Sequence, residues 1–129
     1  MISLLAVSNY RSLKETRLPL GRLNLVTGAN GSGKSNLYKA LRLLSDTALG
    51  TATSSIAAEG GLDSVLWAGP ETISRAMKKG QLPVQGGPRQ KPVELKLGFV
   101  GDDFSYAIDF GMPEPVPGTM FFKDPVIKR

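Results

Sequence analysis

Gly28-Ala29-Asn30-Gly31-Ser32-Gly33-Lys34-Ser35 is the stretch on which the fold of this 129-residue chain turns. Gly28, Gly31 and Gly33 permit backbone conformations closed to other residues, so successive N–H groups can turn inward around an anion. Lys34 brings a point charge able to reach the β- and γ-phosphates of a nucleotide such as ATP, and the Ser35 hydroxyl can hold Mg2+. A helix beginning here would aim the positive end of its dipole at the same anion. The spacing is G-x-x-x-x-G-K-S/T, the Walker A phosphate loop of nucleoside triphosphatases. The plain alternative is a flexible Gly/Ser loop. From average composition, a chain of this length meets the pattern by chance about once in a hundred or less.

The flanks fit the strand, loop, helix order that the motif demands. Leu23-Asn24-Leu25-Val26-Thr27 reads as a short buried strand. From Ser35 to about Leu49, Leu37, Ala40, Leu41, Leu44 and Ala48 recur at helical spacing.

Composition narrows the chemistry. Hydrophobic residues make up 41%, as in an ordinary globular domain of this length. The chain has no cysteine and no histidine, which removes disulfides, thiolate and histidine metal sites, and histidine-based triads. No apolar run reaches membrane-spanning length, and Met1-Ile2-Ser3 lacks the features of a secretory leader. A soluble cytoplasmic protein with no membrane partner is the expectation. Net charge is +5. Residues 1–44 hold Arg11, Lys14, Arg17, Arg22, Lys34, Lys39 and Arg42 against Glu15 alone. Such an excess can attract DNA or a small anion. The charges are scattered, so an ordinary solvated surface accounts for them too.

Outward from the loop, residues 2–8 read as a first strand, Asn9 to Ser12 as a turn, and Lys14 to Leu20 as a second strand. Pro19 suggests an edge or strand end there. Residues 51–61 read as a mobile connection or a frayed helical extension around Ile56. Leu62, Val65, Leu66 and Trp67 suggest a short helical turn against the core; a tryptophan stacking on a base is the alternative. Residues 80–92 hold too many breakers for an element. Val93, Leu95, Leu97 and Phe99, then Phe104, Tyr106, Ile108 and Phe110, alternate on either side of Gly101-Asp102-Asp103. That pattern predicts an antiparallel hairpin with one buried face. Residues 111–118 read as a loop and Met120-Phe121-Phe122 as a possible strand, with no closing element evident.

With these residues placed, the chain resembles the N-terminal part of an SMC/RecF-like ABC-type ATPase, of the bacterial AAA-family group related to RecF and the OLD nucleases. Gly28 to Ser35 with Asn36-Leu37 is similar to that family's G-x-N-G-S-G-K-S-N-L. Asn9-Tyr10-Arg11-Ser12-Leu13 is similar to its N-F/Y-R-S-L/F segment, and Leu66-Trp67-Ala68-Gly69 also resembles the group. The resemblance implies an α/β P-loop fold with a mixed sheet and an antiparallel β-hairpin. It implies ATP and Mg2+ as ligands, with Arg11 and Ser12 as accessory nucleotide contacts. An exposed turn is the alternative for that pair.

The expected organisation is one incomplete ATPase domain over 1–129. Residues 2–50 carry the strands, Walker A loop and helix; 51–92 a loop-rich connection; 93–110 the hairpin; 111–129 a tail. A full member also needs a Walker B strand ending in Asp and usually Glu. Phe104 to Phe110 alternates like a half-buried strand and lacks the Glu. A signature run is missing too, and Gln81, Gln85 and Gln90 precede the hairpin where the family's glutamine follows it. The expectation is therefore an N-terminal fragment of a longer ATP-hydrolysing enzyme of DNA repair or genome maintenance, inactive alone. Residues 29–35 would cradle the phosphates, Lys34 would act on the transferring group and Ser35 on Mg2+. The full protein would dimerise around ATP. A non-catalytic nucleotide- or phosphate-binding regulatory module is the second expectation. A small-molecule kinase is a third, poorly matched by the strands before the loop.

Overall fold

The structure, a computed structural model, describes residues 1–70, 79, 93–111 and 126–128. Its centre is a sheet in which every pairing is antiparallel. β1 (Ile2–Tyr10), β2 (Leu13–Pro19), β3 (Leu95–Gly101), β4 (Ser105–Gly111) and β5 (Val126–Lys128) lie in the order β2-β1-β3-β4-β5. The expected mixed sheet is thus corrected: among the described residues no strand pairs in parallel. The predicted hairpin is β3 and β4, with Leu95 opposite Phe110 and Leu97 opposite Ile108. Pro19 does close an edge strand. β5, which no pattern in the tail announced, flanks β4. The proposed strand at Met120–Phe122 and the loops at 80–92 and 112–118 lie outside the described residues.

Period-two alternation sorts the two faces of the sheet. Leu5, Val7, Leu95, Leu97, Ile108 and Phe110 are buried on one face. Val7, Leu97 and Ile108 stand in register across three strands and form one row of that face. Each such side chain contributes roughly 1.5–3 kcal/mol of burial energy. On the opposite face, Gly98 lies against the neighbouring strand so closely that a Cβ there would sit 2.8 Å from the Tyr106 carbonyl oxygen.

Among the described residues, α1 (Lys34–Ala48), α2 (Ala52–Ala58) and α3 (Leu62–Val65), with Tyr10 of β1, contribute the rest of the core. In α1, Ala40, Leu43 and Leu44 are buried and Leu37 partly so, the i, i+3, i+4 stripe of an amphipathic helix. Leu41 and Ala48, expected in that stripe, are exposed at its edge. Gly50 ends the helix in the left-handed region at φ 74°, its N–H donating to the Thr47 carbonyl. The chain then turns directly into α2, so residues 51–61 are largely helical; Ala52 and Ile56 are buried. Ser55 Oγ donates to the Asp46 carboxylate at 2.7 Å and ties α2 to α1. Leu62 and Val65 of α3 are buried, as the short helical turn required.

Leu23–Thr27 departs from its expectation. Residues 20–33 contain no helix or strand. Leu23 is 93% exposed and Leu25 88%. A strand needs a neighbour for its backbone groups and a face to bury. β2, the strand nearest in sequence, pairs among the described residues with β1 alone, and Leu23–Thr27 forms no ladder along its outer edge. An apolar run announces that a segment is suited to burial, without naming its neighbour.

Candidate functional site

The loop that precedes α1 is shaped by its glycines. Gly31 and Gly33 have φ 81° and 99°, left-handed values that other residues adopt only with strain. The Ser32 N–H closes a turn onto the Ala29 carbonyl at 3.2 Å. Gly33 is the N-cap of α1, and among the described residues no side chain caps the helix start. First-turn N–H groups lack intrahelical partners in any helix, and here they stand beside a loop rich in amides. Lys34 bends back over this loop. Its Nζ donates to the Ala29 carbonyl at 2.7 Å and also to that of Gly28. The ammonium group is therefore held against residues 28 and 29 by dipoles that an anion in the loop would compete with. Ser35 is exposed at the start of the helix.

The turn between β1 and β2 meets the loop. Asn36 Nδ2 donates to Ser12 Oγ at 2.7 Å. Ser12 Oγ also lies 3.0 Å from where a Cβ on Gly33 would stand. Ser12 and Asn36, read separately from two sequence segments, are thus brought together beside Gly33. Arg11 is placed differently. Its backbone is left-handed at φ 49°, fixed by an N–H to the Val65 carbonyl at 2.7 Å. Its guanidinium is ion-paired to Glu59. Arg11 Cζ lies 5.8 Å from the centre of the Tyr10 ring.

Residues 59–67 complete the frame. The Trp67 N–H donates to the Asn9 carbonyl at 2.9 Å, and Tyr10 bridges to Leu66. Trp67 Nε1 donates to the Pro70 carbonyl at 3.0 Å, and the side chain is half-buried, which favours packing over base stacking. A cleft of about 610 Å³ runs between α1 and α2. Lys34, Ser35, Tyr38, Lys39 and Arg42 line one side of it, and Glu59 the other. Sequence reasoning missed Glu59. Its only local signal is the pair Gly60-Gly61, and its partner lies 48 positions earlier. Among the described residues no group of three or more Asp, Glu, His or Cys is gathered to hold a metal. Ser35 is compatible with Mg2+ nonetheless, because that ion usually keeps waters and substrate phosphates among its ligands.

The class of protein now follows. The AAA ATPase domain family matches residues 1–94, and this chain belongs to that family of nucleotide-binding ATPases. The chain is similar to the OLD nuclease of Thermus scotoductus, 41% identical over 44 residues, which are 34% of this chain and 8% of that protein. The match spans less than a tenth of the relative's length. No solved structure matches the chain. Among the described residues no helix is long and apolar enough to cross a membrane.

Proposed function

We propose that Gly28 to Ser35 is a Walker A loop that binds ATP with Mg2+, and that the chain supplies the phosphate-binding half of an ATPase site. The observation that carries this reading is Lys34 folded over a loop of left-handed glycines at an uncapped helix start. Backbone N–H groups of residues 29–35 would surround the phosphates, Lys34 would stabilise charge on the transferring group, and the Ser35 hydroxyl would bind the metal. Mg2+ would neutralise charge on the β- and γ-oxygens when bound. Ser12 and Asn36 would hold the rim of the loop.

For the whole protein we place this half-site in an ABC-type, RecF-like enzyme that acts on DNA in repair or genome maintenance, with two copies closing around ATP. The similarity to a protein named a nuclease and the basic excess of residues 1–44 support that placement.

Binding and turnover separate on one sample. A fluorescent ATP analogue, displaced by unlabelled ATP, reports binding to the purified 129-residue chain; a phosphate-release assay reports hydrolysis. Binding with no release above buffer is expected. Robust release would show that the chain holds a complete hydrolytic site, and absence of displaceable binding would remove the Walker A assignment.

A further inference from the structure

Residues 65–70 form a strap over the β1–β2 turn. On the β1 side it is joined through the backbone. The Arg11 N–H donates to the Val65 carbonyl at 2.7 Å, the Trp67 N–H donates to the Asn9 carbonyl at 2.9 Å, and Tyr10 bridges to Leu66. On the β2 side it is joined through Pro70, whose carbonyl accepts a bond from Lys14 Nζ at 2.9 Å. Ser12 lies in sequence between these two attachments.

The indole of Trp67 closes the strap on itself. Its Nε1 donates to the same Pro70 carbonyl at 3.0 Å. Gly69, between the two, lies against the ring: a Cβ there would stand 2.1 Å from Cζ2 and 2.4 Å from Cε2 of Trp67. Gly69 is not in the left-handed region, so it is space and not backbone freedom that requires glycine here. The ring is planar and cannot bend away, so a side chain at 69 must push the whole indole aside.

The turn that the strap grips is strained. Asn9 and Arg11 are left-handed, at φ 59° and 49°. Such residues persist only where their surroundings over-determine them, and both backbone bonds of the strap fall on these two. Asn9 is held further by Nδ2, which donates to the Glu94 carbonyl at 2.9 Å. Ser12 comes next in the chain. Its hydroxyl accepts a bond from Asn36 at 2.7 Å and lies 3.0 Å from where a Cβ on Gly33 would stand. The strap therefore helps to set where Ser12 meets the glycine loop.

We infer that Trp67 is a positioning residue for the glycine loop: by locking Gly69 and Pro70 in place it holds the strap on the β1–β2 turn and keeps Ser12 against Gly33 and Asn36. The inference rests on the nucleotide reading of that loop and gives the one tryptophan of the chain a part in it. Trp67 acts through Ser12 and not by touching the nucleotide. Without its N–H the strap loosens, the turn relaxes and the rim of the loop opens.

Calorimetric titration of Mg·ATP into the wild-type chain, Trp67→Phe, Gly69→Ala, Ser12→Ala, each of the first two combined with Ser12→Ala, and Lys34→Ala tests this, with thermal melts to verify folding. Trp67→Phe keeps an apolar ring and loses the N–H; it should bind about threefold to tenfold more weakly, the scale of one hydrogen bond. Gly69→Ala keeps every polar group and charge but displaces the indole. It should lose as much affinity, with a shift in the emission of Trp67. In the Ser12→Ala background neither substitution should weaken binding further, because each acts through Ser12. A merely structural tryptophan would lower the melting temperature and leave the affinity alone. Should Trp67→Phe fold poorly, Gly69→Ala carries the test. Wild-type affinity in either folded variant, or losses that multiply with that of Ser12→Ala, would overturn the inference while leaving the loop assignment intact. If Lys34→Ala binds as the wild type does, the nucleotide reading itself falls and the role of Trp67 with it.

Discussion

Asn36 in the first turn of α1 donates to the hydroxyl of Ser12 in the β1–β2 turn, 24 residues earlier, at 2.7 Å. The bond couples the antiparallel sheet to the end of the glycine loop. It is exposed, so its loss should cost under about 1 kcal/mol of stability. Ser12→Ala and Asn36→Ala should therefore leave urea midpoints nearly unchanged. Each should weaken ATP binding several-fold by loosening the rim. A large stability loss with unchanged affinity would assign the pair a purely structural role.

Gly33 and Gly31 should respond differently to alanine. Both are left-handed, at φ 99° and 81°. At Gly33 the new Cβ also meets Ser12 Oγ at 3.0 Å and Leu13 Cδ2 at 3.4 Å, whereas at Gly31 no atom of the described residues lies within 4 Å. Gly31→Ala should cost about 1–2 kcal/mol, the backbone penalty alone. Gly33→Ala should cost more and displace Ser12. Urea denaturation of the two variants measures the order, and equal costs would mean that the Ser12 contact is not tight.

The row Val7, Leu97, Ile108 crosses the middle of the sheet on its buried face. Leu97 is 2% exposed. Leu97→Ala should destabilise the chain by about 2–5 kcal/mol through lost burial and the cavity left behind. Phe104→Ala, at a ring 65% exposed, should cost far less. Chemical denaturation that found the two equal would contradict the assigned buried face.

Lys96 lies on the other face, 3.4 Å from the Glu94 carboxylate and 3.5 Å from that of Asp109. The charge of Asp109, then the hydrogen bond and charge of Glu94, raise its pKa above the ordinary 10.5. A raised lysine contributes stability that is fully present below its unfolded pKa and is lost as pH rises through the folded value. Wild-type stability should therefore fall more steeply above about pH 10.5 than that of Lys96→Met, with the two profiles parallel around neutral pH. Half-exposed ion pairs are weak, so the difference should be small. Profiles that stay parallel throughout the alkaline range would contradict it.

The elements with a clear period were legible in the residues. The β3–β4 hairpin followed from alternation at Leu95, Leu97, Ile108 and Phe110, and α1 from Leu37, Ala40 and Leu44. The loop was spelled out by its glycines and Lys34, which need only their immediate neighbours. Long-range pairing was not legible. Leu23–Thr27 has the composition of a buried strand, yet Leu23 and Leu25 are exposed, because composition does not name a neighbour. Leu41 fell at the edge of a stripe that spacing alone placed it within. Glu59 was invisible because its ion pair is with Arg11, 48 positions earlier, and the turn that carries Arg11 is fixed by a backbone bond to Val65.

The central claim is that Lys34 and the loop it folds over form an ATP site. Calorimetric titration of Mg·ATP into the chain and its Lys34→Ala variant, both shown to be folded by their thermal melts, tests it most directly. Saturable binding by the wild type and none detectable for Lys34→Ala is the expected result. Equal affinity in the two proteins, or no binding by the wild type, would contradict it.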